Sequence, residues 1–352
     1  MPQDPSALDF APVSLPGKAV LAARCMQGYR LLAALLLFNA VAWGAAWFCL
    51  GGQATLLASA LLAWVFGLRH AMDADHIVAI DLVTRKLMLT GRSPLGAGLF
   101  FSLGHSSVVC LAVLFLALLP THDWLERWHL VGGSIGTGVS IGFLFLMAAY
   151  NVYAAGRQWH LFRQKTDRPD AVSGGVMARL FSPLFGLIGR SWQMYPLGFV
   201  FGLGFDTATE VGLLGLAAAQ SSQGLGLVGI LMFPLLFTAA MSAIDTLDAV
   251  LMMRAYGWSA QTRKRRQIYN LAITSVSALA AVGVGATEYV AALGDNGMAG
   301  AGLVRMAETL AEHFPLLGSA IMGIFLALWA GAFAWDKAAA KRVVERAPVS
   351  GT

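Results

Sequence analysis

Ten consecutive residues, Leu68-Arg69-His70-Ala71-Met72-Asp73-Ala74-Asp75-His76-Ile77, place several polar side chains near the end of an apolar run that begins at about Ala54. Two imidazoles, two carboxylates and one guanidinium thus fall inside a segment that otherwise has the composition of a membrane span. A charged side chain at the centre of a membrane helix costs about 3 kcal/mol, so such residues are rare and usually face protein or a water-filled cavity. Imidazole and carboxylate are also ligands for divalent first-row metal ions. These residues therefore predict a metal-ion site within a membrane.

The overall composition indicates a membrane protein. The chain has 352 residues, of which 57% are hydrophobic and only 12% are charged, and its mean hydropathy is +0.67. That is too apolar for a soluble domain, so we predict a single bundle of helices in contact with the lipid membrane. The net charge of +5 comes from basic loops and does not indicate nucleic-acid binding. The three cysteines form no CxxC pair, which argues against a thiolate metal site and against a disulfide framework.

Eight apolar runs are long enough to cross a bilayer, which takes about 20 residues per helix. They cover about 31–50, 54–80, 96–119, 131–153, 195–219, 225–253, 268–290 and 314–335. The predicted fold class is an all-α polytopic membrane protein with eight transmembrane helices and both termini in the cytoplasm. Residues 1–30 are predicted to be a cytoplasmic tail, 31–335 the transmembrane domain with a basic cytoplasmic loop at about 154–194, and 336–352 a second cytoplasmic tail. The second and sixth runs are longer than a span needs, so each is expected to tilt or to break near its polar residues.

The basic residues indicate the orientation of these spans. With both termini inside, every lysine and all but three of the arginines fall in cytoplasmic segments. The exceptions are Arg127 and Arg305 in outer loops and Arg69 within a span. Cytoplasmic loops carry an excess of Lys and Arg, so this distribution favours termini inside the cell. The predicted location is the inner (plasma) membrane of a bacterium.

Three further polar stretches interrupt the apolar spans. They are Phe101-Ser102-Leu103-Gly104-His105-Ser106-Ser107 in the third span, Gly202-Leu203-Gly204-Phe205-Asp206-Thr207-Ala208-Thr209-Glu210 in the fifth, and Met241-Ser242-Ala243-Ile244-Asp245-Thr246-Leu247-Asp248 in the sixth. With the first stretch they hold six of the 19 acidic residues and three of the seven histidines. Facing lipid, these carboxylates and Arg69 would cost on the order of 20 kcal/mol, which exceeds the stability of a typical domain. We therefore expect the four stretches to face one another or a wet cavity.

Helical geometry pairs four of the acidic residues. Residues three or four apart are neighbours on a helix, which puts Asp206 beside Glu210 and Asp245 beside Asp248. Each of these carboxylates is a candidate ligand, proton relay or partner for Arg69. Polar groups at such positions usually mark an ion pathway, so we favour roles in passage or relay for at least two of them.

The first stretch poses a geometric problem if its helix is regular. A helix turns about 100° per residue, so His70, Asp73 and His76 share one side while Asp75 faces away. Either the helix unwinds at the motif, or Asp75 acts indirectly, by orienting a ligand or by pairing with Arg69.

These motifs resemble those of the nickel/cobalt transporter family, bacterial high-affinity permeases with an H-x4-D-H motif in the second span. The similar stretches are Arg69-His70-Ala71-Met72-Asp73-Ala74-Asp75-His76-Ile77, Leu103-Gly104-His105-Ser106-Ser107, Leu203-Gly204-Phe205-Asp206-Thr207-Ala208-Thr209-Glu210 and Ile244-Asp245-Thr246-Leu247-Asp248. The resemblance extends over nearly the whole chain. It implies eight spans with both ends inside, and essential roles for His70, Asp75 and His76. It also implies secondary uptake driven by the membrane potential or a proton gradient.

The ion and the direction of transport are less constrained by the resemblance. Ala240 stands where the family has a glycine before Met241, and Met72 occupies a position that varies in the family, which leaves the choice between nickel and cobalt open. Family exporters tend to carry a histidine-rich loop, whereas the 154–194 loop contains only His160. The predicted function is therefore a secondary importer of nickel, with cobalt as a further candidate ion.

The candidate site consists of predicted metal ligands and predicted passage or relay residues. The predicted metal ligands are His70, Asp73, Asp75, His76 and His105. The predicted passage or relay residues are Arg69, Asp206, Glu210, Asp245 and Asp248. His105 is either a ligand or a hydrogen-bonded residue beside Ser106, and the choice between Asp73 and Asp75 as the direct ligand stays open. The expected partner is the divalent ion itself, with no resident cofactor, and the sequence names no protein partner.

A membrane metalloenzyme and an exporter are the two alternatives to a secondary importer. A membrane metalloenzyme is disfavoured, because the chain has no HExxH motif and too few intramembrane histidines for a histidine-box oxidase. ATP hydrolysis is disfavoured because no GxxxxGK[ST] loop occurs. An exporter or a broader divalent-cation transporter of the same architecture remains the alternative.

Overall fold

The computed structural model describes residues 18–118, 123–164, 188–204, 208–259, 263–324, 326–327 and 330–331. Within these ranges the chain is almost entirely α-helical, with a short 3-10 helix at Ser191–Gln193 and no strand. The helices are α1 (Lys18–Cys49), α2 (Ala54–His70), α3 (Ala74–Leu89), α4 (Ala97–Leu118), α5 (Asp123–Gln164), α6 (Met194–Phe201), α7 (Ala208–Ser222), α8 (Leu227–Ser259), α9 (Arg263–Asp295), α10 (Ala301–Glu312) and α11 (Phe314–Ile324). The prediction of an all-α fold is confirmed.

Five helices, α1, α4, α5, α8 and α9, contain an apolar segment long enough to cross a bilayer. α2 and α3 together form a sixth candidate span, bent by 53° at the residues between them. The predicted fifth span is divided between α6 and α7, and the predicted eighth is described as a continuous helix only as far as Ile324. The chain is thus a multi-pass membrane protein, while the number of eight spans and the side of the termini stay predictions.

Several helices extend beyond the apolar runs. α1 begins at Lys18, within the segment predicted as a tail, and α5 continues to Gln164, into the predicted 154–164 part of the basic loop. That part contains no proline and is rich in residues that favour helix, so the helix continues beyond the apolar segment. The long sixth run forms the continuous helix α8 rather than a broken one.

α8 packs against α1, α2, α3 and α4. Glycines permit the close contacts: a Cβ on Gly67 of α2 would collide with the carbonyl group of Phe237, and one on Gly98 of α4 would collide with that of Asp245. Small residues at such contacts let membrane helices approach closely. α8 therefore fixes the end of α2 and the polar face of α4 relative to each other, which positions the site.

Candidate metal centre

The polar motif of the second span lies at a break between two helices. α2 ends at His70, and the following turn is closed by hydrogen bonds from Met72 N–H to the Arg69 carbonyl (3.1 Å) and from Asp73 N–H to the His70 carbonyl (3.0 Å). Asp73 has an extended backbone, with φ −64° and ψ 144°, and α3 follows it. Of the two alternatives that helical geometry left open, the structure has the first: the helix unwinds at the motif. The break places His70 and His76 on different helices.

Three buried histidines meet beside this break. His70, His76 and His105 are each at most 3% exposed, and each offers a ring nitrogen that lies within 4.8 Å of those of the other two. The Nε2 atoms of His70 and His105 are 2.8 Å apart. The ring centroids are separated by 4.6 to 5.0 Å. α2, α3 and α4 thus contribute one imidazole each to a single cluster, which we term the histidine cluster.

Two of these rings lie against carboxylates, and these contacts indicate which ring nitrogen carries the proton. Nδ1–H of His70 donates to Oδ2 of Asp73 at 3.0 Å, which leaves Nε2 of His70 as an acceptor. Nε2–H of His105 lies 2.8 Å from Oε1 of Glu210 and equally close to Nε2 of His70. The N–H group of His105 therefore lies between two acceptors, Oε1 of Glu210 and Nε2 of His70. If the proton of neutral His105 moved to Nδ1, a cation in its place would be bound by two nitrogens and one oxygen.

His76 differs from the other two rings in its hydrogen bonding. Neither of its nitrogens has a hydrogen-bond partner among the described residues, although its Nδ1 lies 3.5 Å from Oδ2 of Asp245. The hydroxyl group of Ser102 donates to this same oxygen at 2.6 Å and holds the carboxylate in place. Buried polar groups are rarely left without a partner, so His76 is well suited to bind a ligand within the cluster.

The other predicted site residues lie around the histidine cluster or outside the described ranges. Asp75 has one buried oxygen that lacks a hydrogen-bond partner among the described residues. Arg69 is exposed, and the described side chains form no ion pair between it and Asp75, so that suggested pairing is not observed. Asp206 lies outside the described residues. Asp248 is buried one turn beyond Asp245 on α8.

A cavity of about 480 Å³ reaches the histidine cluster. Its wall includes His70 and His105, and residues of α9 and α10 complete it. The lining carboxylates are Asp73, Asp75, Glu288, Glu308 and Glu312, and the lining guanidinium is that of Arg69. Six waters occupy about 180 Å³ at about 30 Å³ each, so the cavity has room for a hydrated divalent ion. The excess of carboxylates attracts cations into it.

Sequence reasoning missed four acidic residues near the site. Glu288 accepts a hydrogen bond from Ser140 at 2.8 Å and lines the cavity, although in the sequence it is an isolated charge near the end of a span. Glu308 and Glu312 lie on α10 in a predicted outer loop, and their spacing of four residues could have placed them on one face. Asp81 is fully buried in α3. It follows the last residue of the predicted second span, so it was not counted among the polar residues within the spans.

The distances suit a transition-metal ion. Two adjacent octahedral ligands at about 2.1 Å from a metal lie about 3 Å apart, close to the 2.8 Å between the Nε2 atoms of His70 and His105. Ligand nitrogens within 4.8 Å require only small shifts to surround one ion. Imidazole with carboxylate suits nickel, cobalt, copper and zinc better than magnesium or calcium.

A helical membrane bundle with a buried imidazole–carboxylate cluster at an acidic cavity has the features of a membrane transporter for divalent metal ions. The sequence profile of the NicO family, described as high-affinity nickel-transport protein, matches residues 56–335. The chain belongs to this family.

Individual relatives agree with the family assignment. A high-affinity nickel transport protein of Cupriavidus necator is 46% identical over 310 residues, which cover 85% of this chain and 88% of that protein. The hydrogenase nickel incorporation protein HupN of Bradyrhizobium diazoefficiens is 41% identical over 320 residues, covering 87% and 83%. The cobalt transport protein NhlF of Rhodococcus rhodochrous is 40% identical over 296 residues, covering 80% and 83%. No solved structure matches this chain.

The family assignment confirms the resemblance derived from the four motifs. It also confirms a transport protein rather than an enzyme, which removes the metalloenzyme from the rival classes. The relatives imply a divalent metal ion as the substrate.

Proposed function

We propose that this protein imports nickel(II) across the inner membrane of a bacterium, with cobalt(II) as a second substrate. The observation that carries the proposal is the meeting of His70, His76 and His105 at a cavity lined with carboxylates. Nitrogen and oxygen ligands in this combination suit both ions. The relatives named for nickel and for cobalt support the same substrates.

The proposed ligands are three ring nitrogens and at least one carboxylate. The three nitrogens are Nε2 of His70, Nε2 of His105 and one ring nitrogen of His76. The oxygen is Oε1 of Glu210, which lies 2.8 Å from Nε2 of His105. Asp73 orients His70 through Nδ1. Metal-binding histidines commonly donate their second N–H to a carboxylate in this way, which fixes the ring and raises its basicity.

Asp75 is proposed as the carboxylate that an ion meets on leaving the cavity. It lines the cavity, and one of its oxygens is buried without a hydrogen-bond partner among the described residues. An ion that arrives hydrated exchanges its waters for protein ligands, and a carboxylate beside His70 supplies one. Affinity alone would favour copper over nickel, so we ascribe selectivity to the number and placement of these ligands.

The direction of transport is proposed from the position of the cavity. The cavity includes Asp75 at the beginning of α3 and residues of α10, whereas Arg85 and Lys86 lie near the other end of α3. Basic residues mark the cytoplasmic side, so the cavity faces outward. A potential of 100 mV, negative inside, is worth about 2.3 kcal/mol per charge, or about 4.6 kcal/mol for a divalent cation. That corresponds to more than a thousandfold accumulation at about 1.4 kcal/mol per factor of ten, without ATP.

Uptake of radioactive nickel by cells that express the protein tests this proposal. The wild type is expected to raise cellular nickel. His105→Gln is expected to reduce the initial rate of nickel uptake about 100-fold, because it removes a proposed ligand that also contacts His70. His160→Gln is the matched control, since His160 is exposed on α5 and belongs neither to the histidine cluster nor to the lining of the cavity. Cobalt is expected to compete with nickel.

Three results would each contradict a different part of the proposal. Lower cellular nickel on expression would show export, the alternative direction. Equal uptake by His105→Gln and His160→Gln would show that the histidine cluster does not bind the transported ion. Collapse of the membrane potential with valinomycin and external potassium is expected to abolish accumulation, and continued accumulation would exclude the potential as its driving force.

A further inference from the structure

A second group of buried acidic residues lies next to the histidine cluster and does not line the cavity. Asp81 of α3 is 0% exposed, and Asp245 and Asp248 of α8 are 1% exposed. Asp81 follows His76 by five residues, which is about 7.5 Å along a helix. Asp248 lies one turn beyond Asp245, toward the same end of the bundle. We term Asp81, Asp245 and Asp248 the inner carboxylates.

Asp248 is the least compensated of the inner carboxylates. Neither of its oxygens has a hydrogen-bond partner among the described residues. Asp81 and Asp245, which are carboxylates like Asp248, lie near enough for their charges to act on it. The hydroxyl group of Ser277 on α9 donates to Oδ2 of Asp81 at 2.8 Å, so α3, α8 and α9 meet at this group.

A buried carboxylate with neighbours of the same charge requires a proton or a cation. A proton would neutralise Asp248, but the resulting O–H would itself need an acceptor, and neither oxygen has a partner within the described ranges. A cation would satisfy both oxygens of Asp248 and offset its negative charge. The buried oxygen Oδ1 of Asp245, which likewise lacks a hydrogen-bond partner there, adds a further possible ligand atom.

We propose that the inner carboxylates form a second divalent-cation site, built from oxygen ligands and adjoining the histidine cluster, where Oδ2 of Asp245 lies 3.5 Å from Nδ1 of His76. The transported ion would occupy it after leaving the histidines. This order of occupation rests on the proposed function, whereas the chemistry of the site does not. Oxygen ligands suit manganese and magnesium, and they hold nickel less firmly than imidazoles do. A pathway must bind an ion weakly enough to release it, so a weaker oxygen site on the inner side promotes release.

The two sites are distinguished by probing each with the metal that it prefers. The full-length protein is purified in lipid nanodiscs, and binding of Mn²⁺ and of Ni²⁺ is measured separately by equilibrium dialysis. Pulsed electron paramagnetic resonance of bound Mn²⁺ reports whether imidazole nitrogen is a ligand. The variants are Asp248→Asn and Asp81→Asn for the inner site and His105→Gln for the histidine cluster.

If the inner site exists, the aspartate and histidine variants are expected to change the affinities for Mn²⁺ and Ni²⁺ differently. Wild-type protein is expected to bind Mn²⁺ without a nitrogen signal, and Asp248→Asn to weaken that binding about tenfold or more. The same variant is expected to weaken Ni²⁺ binding by a smaller factor than Mn²⁺ binding, because the imidazoles of the histidine cluster, which hold Ni²⁺ more firmly than oxygen ligands do, are unchanged. His105→Gln is expected to do the reverse. Retained Ni²⁺ binding also shows that the aspartate variant is folded; if Asp248→Asn does not fold, Asp81→Asn takes its place.

Three outcomes would overturn the inner site. They are no Mn²⁺ binding by the wild type, a nitrogen signal from bound Mn²⁺, and unchanged Mn²⁺ binding in both aspartate variants. The first outcome, with Ni²⁺ binding intact, would leave a proton as the counter-charge of Asp248. None of the three depends on transport, so nickel uptake measured in parallel shows separately whether the proposed function fails.

Discussion

Asp73→Asn tests whether Asp73 holds His70 in the orientation that binds metal. Oδ2 of Asp73 lies 3.0 Å from Nδ1 of His70, and the two side chains are 5% and 1% exposed. A hydrogen bond to a charged group contributes about 1.5–3 kcal/mol. At about 1.4 kcal/mol per factor of ten, that equals roughly a 10- to 100-fold change in affinity. Asparagine keeps an oxygen acceptor but loses the charge, so we expect about a tenfold loss of nickel affinity, against about 100-fold for Asp73→Ala.

A double-mutant cycle shows whether this effect passes through the histidine. Nickel affinity is measured by equilibrium dialysis on the wild type, Asp73→Asn, His70→Gln and the double variant. If Asp73 acts by orienting His70, its substitution has little further effect once the imidazole is gone, and the coupling between the two positions equals most of the single effect. The same loss in both backgrounds would mean that Asp73 contacts the ion directly. That result would refute the orienting role and place Asp73 among the ligands.

Other substitutions and conditions test the cavity, the packing and the ligand chemistry. Nickel binding to purified protein is expected to weaken as pH falls from about 7.5 to about 5.5, because protons compete with the metal for the ring nitrogens; constant affinity over this range would argue against histidine ligands. Glu308→Gln with Glu312→Gln is expected to raise the KM of uptake and to reduce its dependence on ionic strength, because the cavity loses negative charge; uptake at low and high salt measures both. Gly98→Ala is expected to destabilise the protein by about 1–3 kcal/mol, because its Cβ would collide with the carbonyl group of Asp245. Gly138→Ala, whose Cβ would meet no atom within 4 Å, should not lower the melting temperature in detergent.

The membrane class and the polar composition of the site could be predicted from the sequence for one physical reason. Charged groups are costly in lipid, so those in His70, Asp73, His76 and His105 had to face protein or water wherever the helices lay. The structure brings these four residues together. Their role as metal ligands stays a prediction.

The detailed partners could not be predicted, because they depend on how different helices pack. Glu210 was grouped with Asp206 by helical spacing, yet its contact is with His105 on another helix. Ser102 was quoted within a motif without a role, and it proves to hold Asp245 beside His76. Such contacts depend on the rotation and depth of each helix relative to its neighbours, which the order of apolar and polar residues along one span does not encode.

The break between α2 and α3 has a counterpart at the end of α6, in the predicted fifth span. α6 ends at Phe201, and a turn closed by hydrogen bonds from Leu203 N–H to the Val200 carbonyl and from Gly204 N–H to the Phe201 carbonyl, each 3.2 Å, follows it. α7 begins at Ala208, so a polar motif again coincides with the end of a helix.

Both interruptions serve the same site. Irregular backbone at membrane depth is tolerated only where it is buried in protein or lines a water-filled cavity. The first interruption follows His70 and the second precedes Glu210, and both of these residues contact His105. Discontinuous helices commonly form the ion sites of transporters, where the ends of half-helices point at the ion. The polar motifs and the breaks in these two spans therefore have a common cause: residues at helix ends can converge on one point more readily than residues along the face of a continuous helix.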